Sequence, residues 1–388
     1  MSVGPRVRPS DSSMRPNTPS SWGTRAIAWY KGSPGWQRAI VGGILVSVLL
    51  LGTVLLGLSL IGRAAITNGL ISLIVVVALG VFTGNSGILS LGHVGFVAVG
   101  AYVGGLLTMP APIKAAALPD LPQWLSEMVL PFPVAMAVAV GVVAVIALVF
   151  GIAVARPSGF AAAIATLGVL VVVRSGLVGL DTFTRGAQTF YGVPRETTLF
   201  LALGVAVAVI LMARLFRESK TGLRLRATRD DELAARSFGA NVAGLRFRAW
   251  MLSAIIAGAG GVLMAHFITA FSPNQFFLSL TLTYLVMLIV GGAGTVFGAV
   301  FGAMAITIGT EMIRGAESGF TLGPVEFPAF FGLPEFLLAL GMLLVLFFRP
   351  QGVFGVREPD EAIVQFLMRP ARRSASEGEP PPAPGDRR

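Results

Sequence analysis

The chain has 388 residues, of which 54% are hydrophobic and 12% charged, and its mean hydropathy is +0.79. This charged share is about half that of a soluble domain, so the composition predicts a membrane protein. The absence of cysteine excludes disulfides and thiol chemistry, and two histidines make a structural zinc site a poor expectation, so we expect no metal and no cofactor.

Ten apolar segments are long enough to be considered as membrane-crossing helices. The first, 39–62, carries no charge and would be about 36 Å long as a helix, which is enough to cross a bilayer. The others are about 64–83, 88–108, 134–155, 160–180, 198–216, 249–271, 276–292, 294–314 and 334–348. The sequence therefore predicts an all-α, polytopic transmembrane helical bundle of about ten spans. The spans 88–108, 276–292 and 334–348 are short or rich in glycine, and any of them could be re-entrant or broken.

The distribution of charge predicts the orientation of the bundle. Residues 1–38 and 356–388 are polar and are predicted to be disordered tails, and residues 39–355 form the transmembrane domain. With ten spans, both tails and the loop 217–248 lie on one side, which holds 23 of the 29 Lys and Arg residues. Cytoplasmic segments carry such a cationic excess, so both termini are predicted to be cytoplasmic. The net charge of +10 then reflects topology, and nucleic acid is not expected as a partner.

The loop 217–248, called the charged loop below, contains a predicted short helix. Thr228 followed by Asp231 resembles a capping box, acidic residues occupy the first turn, and Gly239 offers a C-terminal stop. The small apolar face of this helix consists of Ala234, Ala235, Phe238 and, one turn on, Val242. Such a face suits a groove on a partner, and an ordinary solvated loop helix is the alternative.

The stretch Gly84–Tyr102 places polar groups at membrane depth, namely Asn85, Ser86, Ser90 and His93. Polar groups in hydrocarbon usually face a bundle interior or a transport pathway. Gly100 and Gly104 have the spacing of a close helix–helix contact, so the residues alone leave pathway lining and packing equally open.

A second glycine pattern, Gly294, Gly298 and Gly302, predicts close helix packing, which could extend to a subunit interface. His266 is interpreted as a hydrogen-bonded interior histidine. No P-loop, paired carboxylates, HExxH or GxSxG pattern occurs in the sequence, so the chain has no ATP site of its own and is not predicted to be an enzyme.

Three segments resemble a known family. Glu232-Leu-Ala-Ala-Arg-Ser-Phe-Gly239 resembles the EAA coupling loop of ABC importer permeases, although the Glu lies one residue further from the Gly than in the usual spacing. The wider segment Gly222–Asn241, together with Gly84–His93 and Arg349–Gly355, resembles the branched-chain amino acid (Liv-type) permeases, especially their M-type subunit. The resemblance covers roughly residues 64–355.

This resemblance implies an ABC importer permease that moves branched-chain amino acids, or relatives such as urea or short amides, across a bacterial plasma (inner) membrane. Its partners would be cytoplasmic ATPases, a second homologous permease subunit in a heterodimer, and an extracytoplasmic solute-binding protein. The ATPase-coupling residues would be Arg229, Asp231, Glu232, Ala234, Ala235, Phe238 and Gly239. The resemblance also favours the translocation path for Asn85, Ser86, Ser90 and His93.

Two alternatives remain. One is an ion-coupled secondary transporter or channel, although such proteins usually need buried ionisable groups, and here Asp181 and Glu311 lie near the outer edges. The other is a membrane scaffold without a transport role, which leaves the polar stretch 84–93 unexplained.

Overall fold

The computed structural model describes residues 33–317, 320–322, 325–327, 332–349, 351–355 and 358. Its helices, in chain order, are α1 Gly35–Leu60, α2 Gly62–Ser86, α3 His93–Thr108, α4 Ala111–Ala117, α5 Gln123–Ser126, α6 Phe132–Val154, α7 Gly159–Gly179, α8 Asp181–Thr184, α9 Leu199–Glu218, α10 Lys220–Asp230, α11 Glu232–Ser237, α12 Val242–Ile268, α13 Leu278–Gly291, α14 Val296–Glu317 and α15 Leu333–Phe348. Two short antiparallel ribbons pair β1 Phe190–Tyr191 with β2 Ala270–Phe271, and β3 Phe320–Leu322 with β4 Val325–Phe327.

The fold is helical, as predicted, but the number of full spans is smaller. Within the described residues, seven helices are long and apolar enough to cross a membrane: α1, α2, α6, α7, α9, α12 and α14. An eighth span results if α3 is counted together with α4, although the pair is bent by 120°. Helices α13 and α15 have 14 and 16 residues. At 1.5 Å per residue they reach only about 21–24 Å, so the expected ten complete crossings are not confirmed.

Helix α1 begins four residues before the predicted span, at Gly35. Pro34 lies at its N-cap, and the Pro34 carbonyl accepts hydrogen bonds from the backbone N–H groups of Gln37 and Arg38. The predicted N-terminal tail, residues 1–38, therefore extends four residues too far. The prediction ended the tail at the charged Arg38, but a charged residue is compatible with the first turn of a helix. Residues 1–32, and the predicted C-terminal tail apart from Glu358, lie outside the described residues.

The core is formed by α2, α3 and α12. Helix α2 is apolar on all sides, and 19 of its 25 residues are buried. Helices α3 and α12 touch backbone to backbone, since a Cβ atom at Gly100 would lie 2.2 Å from the Gly258 carbonyl oxygen. A Cβ atom at Gly261 would lie 2.0 Å from the Val97 carbonyl oxygen. These glycines bring the polar stretch 84–93 against the middle of α12.

The loops separate into two groups at opposite ends of the bundle. At the ribbon end, β1 pairs with β2, Arg185 Nε donates to the Ala117 carbonyl, and Arg174 Nη2 donates to Asn274 Oδ1. The charged loop lies at the other end, called the charged-loop end below, together with the turns that follow α2 and α6 and the turn that precedes α14.

Candidate functional site

The charged loop folds into two consecutive helices rather than one. Ser219 caps α10 by accepting a hydrogen bond from the Gly222 N–H, and Asp231 caps α11 by accepting one from the Ala234 N–H at 2.9 Å. The predicted capping role of Thr228 is wrong. Thr228 is buried inside α10, and its hydroxyl donates to the Leu225 carbonyl within its own helix.

Gly239 ends α11, as the sequence predicted. It has φ = +78°, a left-handed conformation that strongly favours glycine. The Gly239 N–H donates to the Arg236 carbonyl and the Ala240 N–H donates to the Ala235 carbonyl. This pair of bonds is the Schellman motif, which fixes how the chain leaves α11.

The exposed apolar surface of α11 differs in part from the predicted face. Phe238 is 92% exposed and Leu233 is 77% exposed. Ala234 is exposed and Ala235 is half-buried, whereas Val242 belongs to α12 and is buried, so its placement on this face is wrong. Helix α11 ends at Ser237, so Val242 cannot continue its face. The large exposed apolar side chains are therefore Leu233, on the first turn of α11, and Phe238, at its C-cap.

Glu232 uses both carboxylate oxygens within the chain. Oε1 accepts hydrogen bonds from Arg236 Nη2 at 2.7 Å and Nε at 3.1 Å, and Oε2 accepts from Arg246 Nη2 at 2.7 Å. Arg246 lies near the start of α12, is only 3% exposed, and also donates to the Pro157 carbonyl at 3.2 Å. The hydrogen bond from Arg236, opposed by partial burial and reinforced by Arg246, lowers the pKa of Glu232.

Arg229 connects the charged loop to the polar stretch. Its Nη1 donates to the Gly84 carbonyl at 2.8 Å, at the end of α2. Its aliphatic part covers Gly87, where a Cβ atom would lie 2.8 Å from Arg229 Cγ. Gly87 has φ = +73°, so both backbone conformation and lack of space require glycine at this position.

Ser90 and His93 belong to a buried chain of hydrogen bonds. Ser90 Oγ lies 2.6 Å from His93 Nδ1, and His93 Nε2 lies 2.6 Å from Ser253 Oγ on α12. Because the Ser253 hydroxyl donates to the Trp250 carbonyl, its oxygen must accept from His93 Nε2–H. In a neutral imidazole, the proton then lies on Nε2, and Nδ1 accepts from the Ser90 hydroxyl.

The rest of the polar stretch is also packed inside the bundle. Asn85 Nδ2 donates to the Val81 carbonyl, and Ser86 Oγ donates to the Phe82 carbonyl, both within α2. Asn85 Oδ1 has no hydrogen-bond partner among the described residues. The Leu91 N–H donates to Thr166 Oγ1 at 3.0 Å, which fixes the loop against α7. In this conformation the four predicted pathway side chains are buried.

The ring of His93 lies among three aromatic side chains. Its centroid is 5.7 Å from that of Phe82, 6.1 Å from Phe96 and 5.1 Å from Trp250. These rings come from α2, α3 and α12, so the histidine lies where the three core helices meet.

An apolar cavity of about 420 Å³ lies between α3, α6 and α7. Its lining includes Val99, Tyr102, Ile146, Val173 and Leu177. The glycines of α7 at positions 168, 176 and 179 have open space where a side chain would begin. Of these three glycines, Gly176 lines the cavity, and Gly168 and Gly179 lie on the exposed surface of α7.

The glycines of the second pattern lie where α13 and α14 approach each other. A Cβ atom at Gly302 would lie 2.0 Å from the Met287 carbonyl oxygen, and one at Gly298 would lie 2.6 Å from the Gly291 carbonyl oxygen. Gly294 lies in the turn between the two helices. The close approach is thus formed within one chain.

His266 is an interior histidine, as predicted. It is fully buried, its Nε2 lies 2.8 Å from Thr108 Oγ1, and its Nδ1 lies 2.8 Å from the Val262 carbonyl.

The sequence patterns did not indicate several residues that contribute to the site. Leu233 directly follows Glu232 and is the largest apolar residue of α11, which could have marked it. Ser253 and Arg246 carry no such signal. Ser253 bonds to His93, 160 residues away, and Arg246 bonds to Glu232, which lies 14 residues away on a different helix. Glu358, beyond the predicted membrane domain, forms ion pairs with Arg214 at 3.0 Å and Arg217 at 3.2 Å.

Comparisons with known proteins cover up to 76% of the chain. The sequence profile of a family described as "Branched-chain amino acid transport system / permease component" matches residues 63–347. The high-affinity branched-chain amino acid transport system permease protein LivM of Salmonella typhimurium (strain LT2) is 27% identical over 315 residues, covering 76% of this chain and 70% of the relative. LivM of Escherichia coli (strain K12) is 28% identical over 328 residues, covering 75% and 69%.

A more distant relative is the autoinducer 2 import system permease protein LsrC of Escherichia coli (strain K12 / DH10B). It is 30% identical over 162 residues, which cover 38% of this chain and 46% of LsrC. No solved structure matches the chain.

Proposed function

Because this chain belongs to the family of branched-chain amino acid transport system permease components, we propose that it is the membrane subunit of an importer driven by separate ATPases. The observation that carries this proposal is the surface of α11. Leu233 and Phe238 are exposed on a helix whose two ends are fixed by Asp231 and Gly239. A rigid helix that presents apolar side chains is suited to a groove on another protein. We therefore call α11 the docking helix and propose that the groove that receives it lies on the ATPase.

We propose that the docking helix faces the cytosol. The predicted cationic excess on the charged-loop side supports this orientation. This orientation places both termini in the cytosol and the ribbon end on the outer side of the membrane. We propose that this membrane is the bacterial plasma membrane. Helix α3 then acts as a broken span that is buried among its neighbours, and α13 and α15 act as short spans. We also propose residues 35–355 as the permease domain.

We propose a branched-chain amino acid or a related small polar solute as the substrate. The names of the two LivM relatives support a branched-chain amino acid as the substrate. The name of LsrC, an autoinducer 2 import permease, supports the wider class of related small polar solutes. A second homologous permease subunit and an extracytoplasmic solute-binding protein complete the proposed importer.

The stretch with Asn85, Ser86, Ser90 and His93 is proposed to take part in the translocation path. Since these side chains are buried here, the proposal requires them to become accessible during transport. The chain contains no cysteine, so Ser90→Cys can be tested with a small charged thiol reagent. Labelling should occur only when ATP and solute are both present. Failure to label under turnover would assign the stretch to helix packing.

Uptake measurements test the proposed function. Membrane vesicles that contain the permease, its ATPases and its binding protein should accumulate radiolabelled leucine, isoleucine or valine when ATP is supplied inside. Vanadate should stop uptake, and ionophores should not. The opposite pattern would support the ion-coupled alternative, and uptake without any ATPase would refute the proposal.

A further inference from the structure

The contacts of Glu232 differ from those of a residue that projects toward a partner. Both of its oxygens are engaged by arginines of its own chain, at 2.7 Å in each case. Of these two arginines, Arg236 is 57% exposed along its side chain and lies on the same helix, whereas Arg246 is 4% exposed and lies on α12. The bond to Arg246 therefore joins the docking helix to the body of the bundle.

Arg246 extends this link to a third segment. Its Nη1 donates to the Pro157 carbonyl, in the turn between α6 and α7, while its Nη2 holds Glu232. A guanidinium group is planar and rigid, so two hydrogen bonds from one group fix the positions of both acceptors relative to each other. A displacement of α11 would thus be passed to the α6–α7 turn that contains Pro157.

Helix α7 is able to respond to such a displacement. Its first residue, Gly159, has φ = +57° and open space where a side chain would begin, and the helix borders the apolar cavity of about 420 Å³. A second contact of the charged loop reaches the same helix. Arg229 holds Gly84 and covers Gly87, and the loop that follows is bonded to Thr166 on α7 through Leu91.

The two routes are joined within the core. Ser253 lies two turns beyond Arg246 on α12 and is bonded to His93, which belongs to the stretch held by Arg229. The contacts therefore form a closed circuit through α11, α12, α3, the end of α2 and α10, which carries Arg229.

We infer that Arg246 is a positioning residue of the importer, which transmits the movement of the docking helix to the α6–α7 turn, with Arg229 as a second link. Glu232 then acts through Arg246 inside this chain. This inference rests on the proposed function, because it assigns a route for energy that the ATPase supplies.

The test uses the complete importer in proteoliposomes, with three readouts for each variant: ATPase co-purification, the rate of ATP hydrolysis, and leucine transported per ATP hydrolysed. Arg246→Gln should leave co-purification and hydrolysis within about twofold and lower transport per ATP about tenfold, which is typical of a lost coupling between two sites. The charge exchange Glu232→Arg with Arg246→Glu should recover part of this loss. Arg229→Gln should give a smaller loss, because Arg229 is exposed whereas Arg246 is buried.

Two matched controls separate this role from a general loss of charge. Arg236→Gln removes only the exposed partner of Glu232, and Arg248→Gln removes an exposed arginine of the same helix α12. Both should keep the normal ratio of transport to hydrolysis. If Arg246→Gln does not accumulate in the membrane, the charge exchange and Arg246→Lys provide the same measurement.

The results distinguish the inference from the function on which it rests. An unchanged transport-to-hydrolysis ratio in Arg246→Gln, or a loss of ATPase co-purification instead, would overturn the inference. Failure of the unmodified chain to bind an ATPase, or its uptake without ATP, would overturn the proposed function.

Discussion

Replacement of Phe238 by alanine is the sharpest test of the docking surface. The ring is 92% exposed in the isolated chain and lies at the end of α11. Burial of a phenylalanine side chain contributes about 1.5–3 kcal/mol. If the ring enters a groove on the ATPase, its loss should weaken binding roughly tenfold to a hundredfold, since about 1.4 kcal/mol corresponds to one factor of ten.

The assay is equilibrium binding of the purified ATPase to the permease in nanodiscs, at fixed nucleotide concentration. The thermal unfolding of the permease itself should not change, because the exposed ring contributes little to its core. Leu223→Ala is the matched control, since Leu223 is 46% exposed on α10 of the same loop. Equal binding by Phe238→Ala and the unmodified chain would refute the assignment, as would an equal loss in both variants.

Three further outcomes are expected. Gly302→Ala should prevent close packing of α13 on α14 and lower the yield of folded protein, whereas Gly309→Ala, with open space on the same helix, should be neutral or stabilising by up to about 1 kcal/mol. Ser253→Ala should leave a buried imidazole N–H unpaired and lower the free energy of unfolding by about 1–3 kcal/mol, measured by thermal or denaturant unfolding. The pKa of Glu232 is lowered, so its contribution to stability is present above the ordinary glutamate range and is lost as the pH falls through the lowered value; Glu232→Gln should abolish this part of the acid dependence of unfolding.

Periodicity and composition predicted the long helices well, because a membrane span requires about twenty apolar residues whatever its neighbours are. They could not fix the short ones. Helix α3 begins only at His93, since Gly87 and the residues after it are held by contacts from α7 and the charged loop. Such contacts depend on tertiary packing and leave no periodic signal in the sequence.

Local rules identified the end of α11 but misplaced its start. Gly239 adopts the left-handed conformation that its residue type favours. Thr228 and Asp231 are both good capping residues, and the choice between them depends on α10, which continues to Asp230 and buries Thr228. The pairing of His93 with Ser253 could not be predicted either, because it spans 160 residues and depends on the glycine contacts between α3 and α12.

The central claim is that α11 projects into the cytosol and is covered there by an ATPase. A single cysteine at the exposed position Ser237 tests it directly, because the chain has no cysteine of its own. A membrane-impermeant maleimide should label Ser237→Cys in inside-out vesicles and not in right-side-out vesicles, and added ATPase should block the reaction. Labelling from the outside, or labelling that the ATPase does not reduce, would contradict the account.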